Sequence, residues 1–149
     1  MDTDLELMIP DNYVPTSAER IFLYKELDSI QKKEDLEKFK NNLEDRFGPV
    51  PEKTLQLIAS VELSWLAQLA GIEKILIRSG KLTANFPASQ DDPYYQSEIF
   101  GGIIKYLREN PSRGQMRDFK GKPAMVIEGI SSIEKAQEIF REISAVVTG

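Results

Sequence analysis

The chain contains no cysteine and no histidine. That removes disulfides, thiolate nucleophiles, most zinc and iron sites, and the side chain most often used as a general base near neutral pH. A Ser/His/Asp arrangement is impossible without histidine. There is one tryptophan, Trp65, and no apolar run approaches the ~20 residues that a membrane-spanning helix needs. No G-x-x-x-x-G-K-[ST] phosphate loop occurs; Gly101-Gly102 lacks the Lys and Ser/Thr that would have to follow. The opening segment, MDTDLELMIP, carries acids where a secretory leader would carry Lys or Arg. The lack of cysteine is compatible with a cytosolic location.

What remains is an ordinary globular composition. The 149 residues are 41% hydrophobic and 29% charged, enough for one domain with a sizeable core. The net charge of -5 is unevenly placed: residues 1–47 hold 12 acidic and 7 basic side chains, so the whole excess lies in the first third. An acidic face repels a phosphate backbone and can steer a basic protein partner, so direct nucleic-acid binding is not expected there. The alternative is that these carboxylates serve solubility alone. Met1 followed directly by an extended segment leads us to expect a fragment of a longer protein.

Leu5, Leu7 and Ile9 alternate with Asp4, Glu6 and Met8, a short strand pattern. Pro10, Asp11 and Asn12 form a turn, and Pro15 holds Val14 extended. A first helix starts after Thr16 or Ser17 and fades around Gln31–Lys33, with Leu23, Leu27 and Ile30 on one face. A second runs from Glu34-Asp35 to Phe47, where Leu36, Phe39, Leu43 and Phe47 make its apolar stripe. Gly48 closes it with a left-handed residue that only glycine adopts cheaply, Pro49 and Pro51 forbid continuation, and a long third helix follows over about Glu52–Ala70, ended by Gly71. Its apolar arc includes Trp65, for which core packing is the default reading ahead of a binding anchor.

The period then changes from helix to strand. Lys74–Arg78 and Lys81–Pro87 flank a Ser79-Gly80 hairpin turn, and Gln115–Lys120 and Pro123–Glu128 flank Gly121. A helix over about Tyr95–Glu109 separates the two pairs, and its Gly101-Gly102 reads as close packing against a sheet. Ser131 with Glu134 reads as a capping box for a last helix whose stripe runs Ile133, Ala136, Phe140, Ile143, Val147. The fold class is therefore α+β: three helices, then ββα-ββα with a mainly antiparallel four-stranded sheet covered by helices on one face. We expect a single domain over 1–149, with a helical half (1–72) and a ββαββα half (73–149).

Side chains that can carry chemistry are sparse. Glu34-Asp35, Glu44-Asp45 and Asp91-Asp92 are adjacent pairs, which on a helix diverge by ~100° and do not share one substrate atom. Asp91-Asp92 lacks the spacing of a calcium loop. Tyr94-Tyr95 can be exposed contact residues or can fold under their loop. Lys32-Lys33 and the group Arg113, Arg117, Lys120 and Lys122 are the densest basic clusters; the latter, with Phe119, supports an alternative reading as a nucleic-acid-binding strand pair. No catalytic, cofactor-binding or metal-ligating set emerges.

Four blocks point further. They are IPDNYVP at Ile9–Pro15, ERIFLYKEL at Glu19–Leu27, LEDRFGPVP at Leu43–Pro51 and LAQLAGI at Leu66–Ile72. In this order and at these separations they resemble the C-terminal domain of the bacterial transcription-repair coupling factor. The resemblance covers Ile9 to Ile72; the second half matches only in its expected elements. Members of that family are cytoplasmic ATP-driven DNA translocases that displace stalled RNA polymerase and recruit nucleotide-excision repair. Their ATP, Mg and DNA sites lie in upstream modules. The resemblance implies that this chain is a non-catalytic, autoinhibitory domain without a cofactor. It would dock on an excinuclease-B-like module and mask the excinuclease-A-binding surface. Asp45 and Arg46, flanked by Asn42 and Glu44, are then the candidate contact residues. Asp45 can pair with a partner arginine or be merely solvated, and Arg46 can instead bond the carbonyls of its own helix end. Some family members arrange their acids differently here.

Overall fold

The computed structural model describes residues 1–148. They pack as two compact units: Glu6–Glu62, and Met1–Leu5 together with the chain from Leu63 onward. The first unit carries α1 (Ser17–Ser29), α2 (Lys33–Phe47) and most of α3 (Glu52–Leu69). The second carries β1 (Asp2–Thr3), the end of α3, β2 (Lys74–Arg78), β3 (Lys81–Asn85), α4 (Glu98–Glu109), β4 (Gln115–Phe119), β5 (Lys122–Ile127) and α5 (Ile133–Thr148). The α+β class and the order of helices and strands agree with the sequence reading.

In the helical unit the stripe of α2 is buried through Leu36, Phe39 and Leu43, alongside Leu23 and Leu27 of α1. The segment before α1 is wired into this unit. The Ile9 amide donates to the Tyr24 hydroxyl at 2.7 Å, the Thr54 hydroxyl donates to the Met8 carbonyl at 2.8 Å, and Met8 N–H reaches the Lys53 carbonyl at 3.4 Å. The alternation over Leu5–Ile9 is therefore not a strand. Its backbone groups are taken by a tyrosine and by the start of α3, and no neighbouring strand among the described residues pairs with it.

The sheet of the second unit has five strands, not four, in the order β1-β2-β3-β5-β4. The extra strand is β1, whose two residues pair parallel to β2 (Asp2 opposite Leu76, Thr3 opposite Ile77), and Asp2 also bonds Arg78 at 3.1 Å. The other pairings are antiparallel. The two hairpins turn on Ser79-Gly80 and Lys120-Gly121, all four at positive φ, which suits the right-handed twist of the strands they join. One sheet face presents Ile75, Ile77, Leu82, Ala84, Met125 and Ile127, all buried, and the stripes of α4 (Ile103, Leu107) and α5 (Ile133, Ala136, Phe140, Ile143) are buried too.

Three local expectations change. The α5 cap is Ser132, whose hydroxyl accepts from Lys135 N–H at 3.3 Å, one residue later than Ser131. The helix expected from Tyr95 is a 3₁₀ turn over Pro93–Gln96 followed by α4, capped by Ser97. Of the two mid-helix glycines, Gly102 faces α5, not the sheet: a methyl there would meet Val147 Cγ1 at 3.0 Å, whereas Gly101 looks into open space.

Candidate docking site

The site is built by the way α2 stops. Gly48 takes φ 91°, ψ -167°, a conformation essentially reserved for glycine, while its amide still bonds the Glu44 carbonyl at 3.0 Å. This is an extended positive-φ residue, not the left-handed helical closure expected from the sequence. Tyr13 fixes the corner from the side: its hydroxyl lies 2.8 Å from the Gly48 carbonyl and 3.1 Å from that of Leu43, and its ring packs on Phe47 at 5.7 Å. Burial, with Glu44 as a lesser cause, pushes the Tyr13 hydroxyl above its ordinary range. Arg20 holds the approaching segment by donating to the Val14 and Pro15 carbonyls at 2.7 and 3.1 Å.

On this frame Asn42, Glu44, Asp45 and Arg46 are all exposed. Arg46 does not bond the carbonyls of its own helix end. It reaches Glu19 of α1 at 2.8 Å and lies 4.7 Å over the Phe47 ring. With the two partners 51% and 44% exposed, that pair contributes little to stability, ~0–1 kcal/mol, and it directs the guanidinium toward α1. Asp45 makes no hydrogen bond or ion pair among the described residues. Glu44 and Asp45 occupy the last turn of α2, where the helix dipole is negative and a carboxylate is unfavourable by ~0.3–1 kcal/mol.

The sequence reading missed the apolar member of this surface. Phe22 is 66% exposed and stands three residues, hence one helical turn, after Glu19 on the same face of α1. Ile21 beside it is 56% exposed. The signal was present in ERIFLYKEL, which has apolar residues on both sides of the helix, but periodicity alone did not say which side would be buried.

Other candidates resolve differently. Tyr94 and Tyr95 fold under their loop into a cluster with Phe86 and Phe100, with ring centroids 4.9–5.9 Å apart. The Tyr94 hydroxyl donates to the Ala70 carbonyl at 2.5 Å, and its ring lies flush on Gly71. Asp92 caps the 3₁₀ turn by accepting from Tyr94 N–H at 2.9 Å. Among the described residues no group of His, Cys, Asp or Glu is placed to hold a metal ion, and no helix is long and apolar enough to cross a membrane. The Arg113–Lys122 cluster splits: Arg113 is bonded to Glu142 at 2.9 Å, beside the Tyr106 hydroxyl, which reaches the same carboxylate at 2.5 Å.

These features define an α+β domain that presents a helix-end patch of acid, cation and aromatic side chains. The chain belongs to the TRCF domain family, which matches residues 3–97. The transcription-repair-coupling factor of Rickettsia bellii is 34% identical over 143 residues, 95% of this chain. That of Borreliella burgdorferi is 26% identical over 141 residues, 94% of this chain. The chain spans 12% of the length of either relative. A crystal structure of the C-terminal domain of transcription-repair coupling factor shares the fold, with a TM-score of 0.77 at 18% identity, covering 98% of this chain and 93% of that one.

Proposed function

We propose that this chain is the non-catalytic C-terminal regulatory domain of an ATP-dependent, cytoplasmic DNA translocase that couples transcription to nucleotide-excision repair. In this reading it docks on the excinuclease-B-like module of its own protein and masks the excinuclease-A-binding surface. RNA polymerase and excinuclease-A are indirect partners, and ATP and Mg serve the upstream motor. The observation that carries the reading is the surface at the end of α2. Asp45 is exposed, has no partner among the described residues, and is kept where the helix dipole disfavours it. Beside it, Glu19 positions Arg46, and Phe22 offers the aromatic body that interface hot spots use.

The test is binding of this chain to the isolated excinuclease-B-like module. The unmodified chain binds. Asp45→Arg weakens binding by about tenfold or more, as expected when a desolvated charge pair is reversed, and Phe22→Ala does the same by loss of the anchor. Absence of binding by the unmodified chain, or full binding by both variants, overturns the proposal.

A further inference from the structure

The second sheet face, opposite the one that carries the buried apolar row, has a composition unlike the rest of the chain. Register places Lys74, Leu76 and Arg78 of β2 beside Asn85, Thr83 and Lys81 of β3. Ala124 and Val126 of β5 follow, and then Arg117, Gln115 and Phe119 of β4, with Lys122 opposite Phe119. Five of these twelve positions are cationic and none is acidic. The one acid on the same face of the described strands is Asp2 of β1, which is bonded to Arg78. Lys74, Lys81, Arg117 and Lys122 make no ion pair among the described residues. Lys74, Lys81 and Lys122 line an open groove of about 520 Å³ together with Leu76, Thr83 and, at its rim, Phe119; Glu73 also lines it. Phe119 is 47% exposed, and the hairpin tip next to it is held by Gln90, which donates to the Gly121 carbonyl at 2.7 Å. The acidic surplus lies elsewhere: residues 6–62 hold 12 acids and 8 bases, whereas the sheet unit is nearly neutral.

We propose that this face is a binding site for single-stranded nucleic acid. Unpaired cations around an apolar groove match a chain that alternates phosphates with flat bases, and an exposed aromatic ring at the rim offers a stacking surface that paired bases cannot use. The site differs from the basic strand pair legible in the sequence: it loses Arg113 to Glu142 and gains Lys74 and Lys81 from β2 and β3. It is independent of docking through α2.

The probe is a fluorescently labelled oligothymidylate, titrated with the whole chain at low salt and followed by anisotropy. Binding is expected, with a log–log salt slope of about -3 for four cations on a single strand. Lys81→Glu with Lys122→Glu weakens it by about tenfold or more, and Phe119→Ala weakens it several-fold while leaving the salt slope unchanged. The control is Lys32→Glu with Lys33→Glu, which makes the same change of charge on the other unit and leaves binding within about twofold. No binding at low salt, or equal loss in the control pair, overturns the proposal. So does tighter binding of poly-glutamate than of the oligonucleotide, which would make the face a site for acidic peptide.

Discussion

At the scale of single residues, several side chains in the recognisable blocks are internal wiring. Tyr13 ties the turn before α1 to the end of α2, Arg20 holds Val14 and Pro15, and Tyr24 accepts from Ile9. The surface that would meet a partner is made by their neighbours. This separates two kinds of substitution. Gly48→Ala has free space for its methyl but forces an alanine into a glycine-only conformation, and it should cost about 1–3 kcal/mol in a urea titration. Gly71→Ala should cost more, because its methyl would overlap the Tyr94 ring, which the Ala70 carbonyl pins in place. Asp45→Lys should go the other way. Relief of the unfavourable dipole contact raises stability by ~0.3–1 kcal/mol, while docking to the excinuclease-B-like module falls. A stabilised variant that still docks would leave Asp45 as a solvated carboxylate.

The tyrosines give a pH prediction of fixed sign. Burial pushes the hydroxyls of Tyr94 and Tyr106 well above the ordinary 10.0, with Glu142 adding to the effect at Tyr106. Tyr95 is raised in the same direction, again chiefly by burial. A group whose pKa is raised in the folded state stabilises fully below its unfolded value, and that contribution is lost as pH climbs through the folded value. The melting temperature should therefore hold up to about pH 10 and fall steeply above it. Tyr94→Phe should flatten that fall and cost about 1 kcal/mol at neutral pH, since the Ala70 carbonyl loses its donor. A melting temperature independent of pH through the tyrosine range would contradict the burial argument.

At the scale of elements, the two mid-helix glycines of α4 behave as a matched pair. Gly101→Ala, in open space, should stabilise by about 1 kcal/mol through helix propensity alone. Gly102→Ala should gain less or lose, because Val147 must give way. The denaturant midpoints of the two variants read the α4–α5 contact directly. The same pair marks what the sequence could and could not tell. Both glycines are invisible to a helical period, which marks α4 but neither its start, three residues later than expected, nor the neighbour that Gly102 faces. Much else was legible for the same reason: a 3.6 period carries through α2 and a period of 2 through β2 and β3, and Gly48, Gly71 and the Ser79-Gly80 pair mark the ends of α2, α3 and β2, whereas α1 is apolar on two sides and β4 and β5 do not alternate. The two-residue β1 has no period to read, and the alternation at Leu5–Ile9 is satisfied by Tyr24 and α3. Phe22 escaped because exposure of one of two apolar faces is decided by packing.

For the whole molecule, charge and structure divide along the same line. The helical unit carries the acidic surplus and the candidate docking patch, and the sheet unit carries the cationic face. The two proposed activities should therefore respond differently to mutation. Charge reversal at Asp45 should leave oligonucleotide binding unchanged, and Lys81→Glu with Lys122→Glu should leave docking unchanged, both read by the titrations above. Docking should also associate more slowly as ionic strength rises, since an acidic unit steers a basic partner at long range; a rate independent of salt would assign the acids to solubility.

The two residues of β1 have a consequence for the order of assembly. During synthesis they emerge before the helical unit, yet the strand they pair with, β2, emerges only after it. Closing so distant a pairing is slow and comes after local structure. Asp2 waits, unpaired, until Arg78 has left the ribosome. The helical unit can assemble in the meantime, and β1 clips onto the sheet edge as a late act of folding.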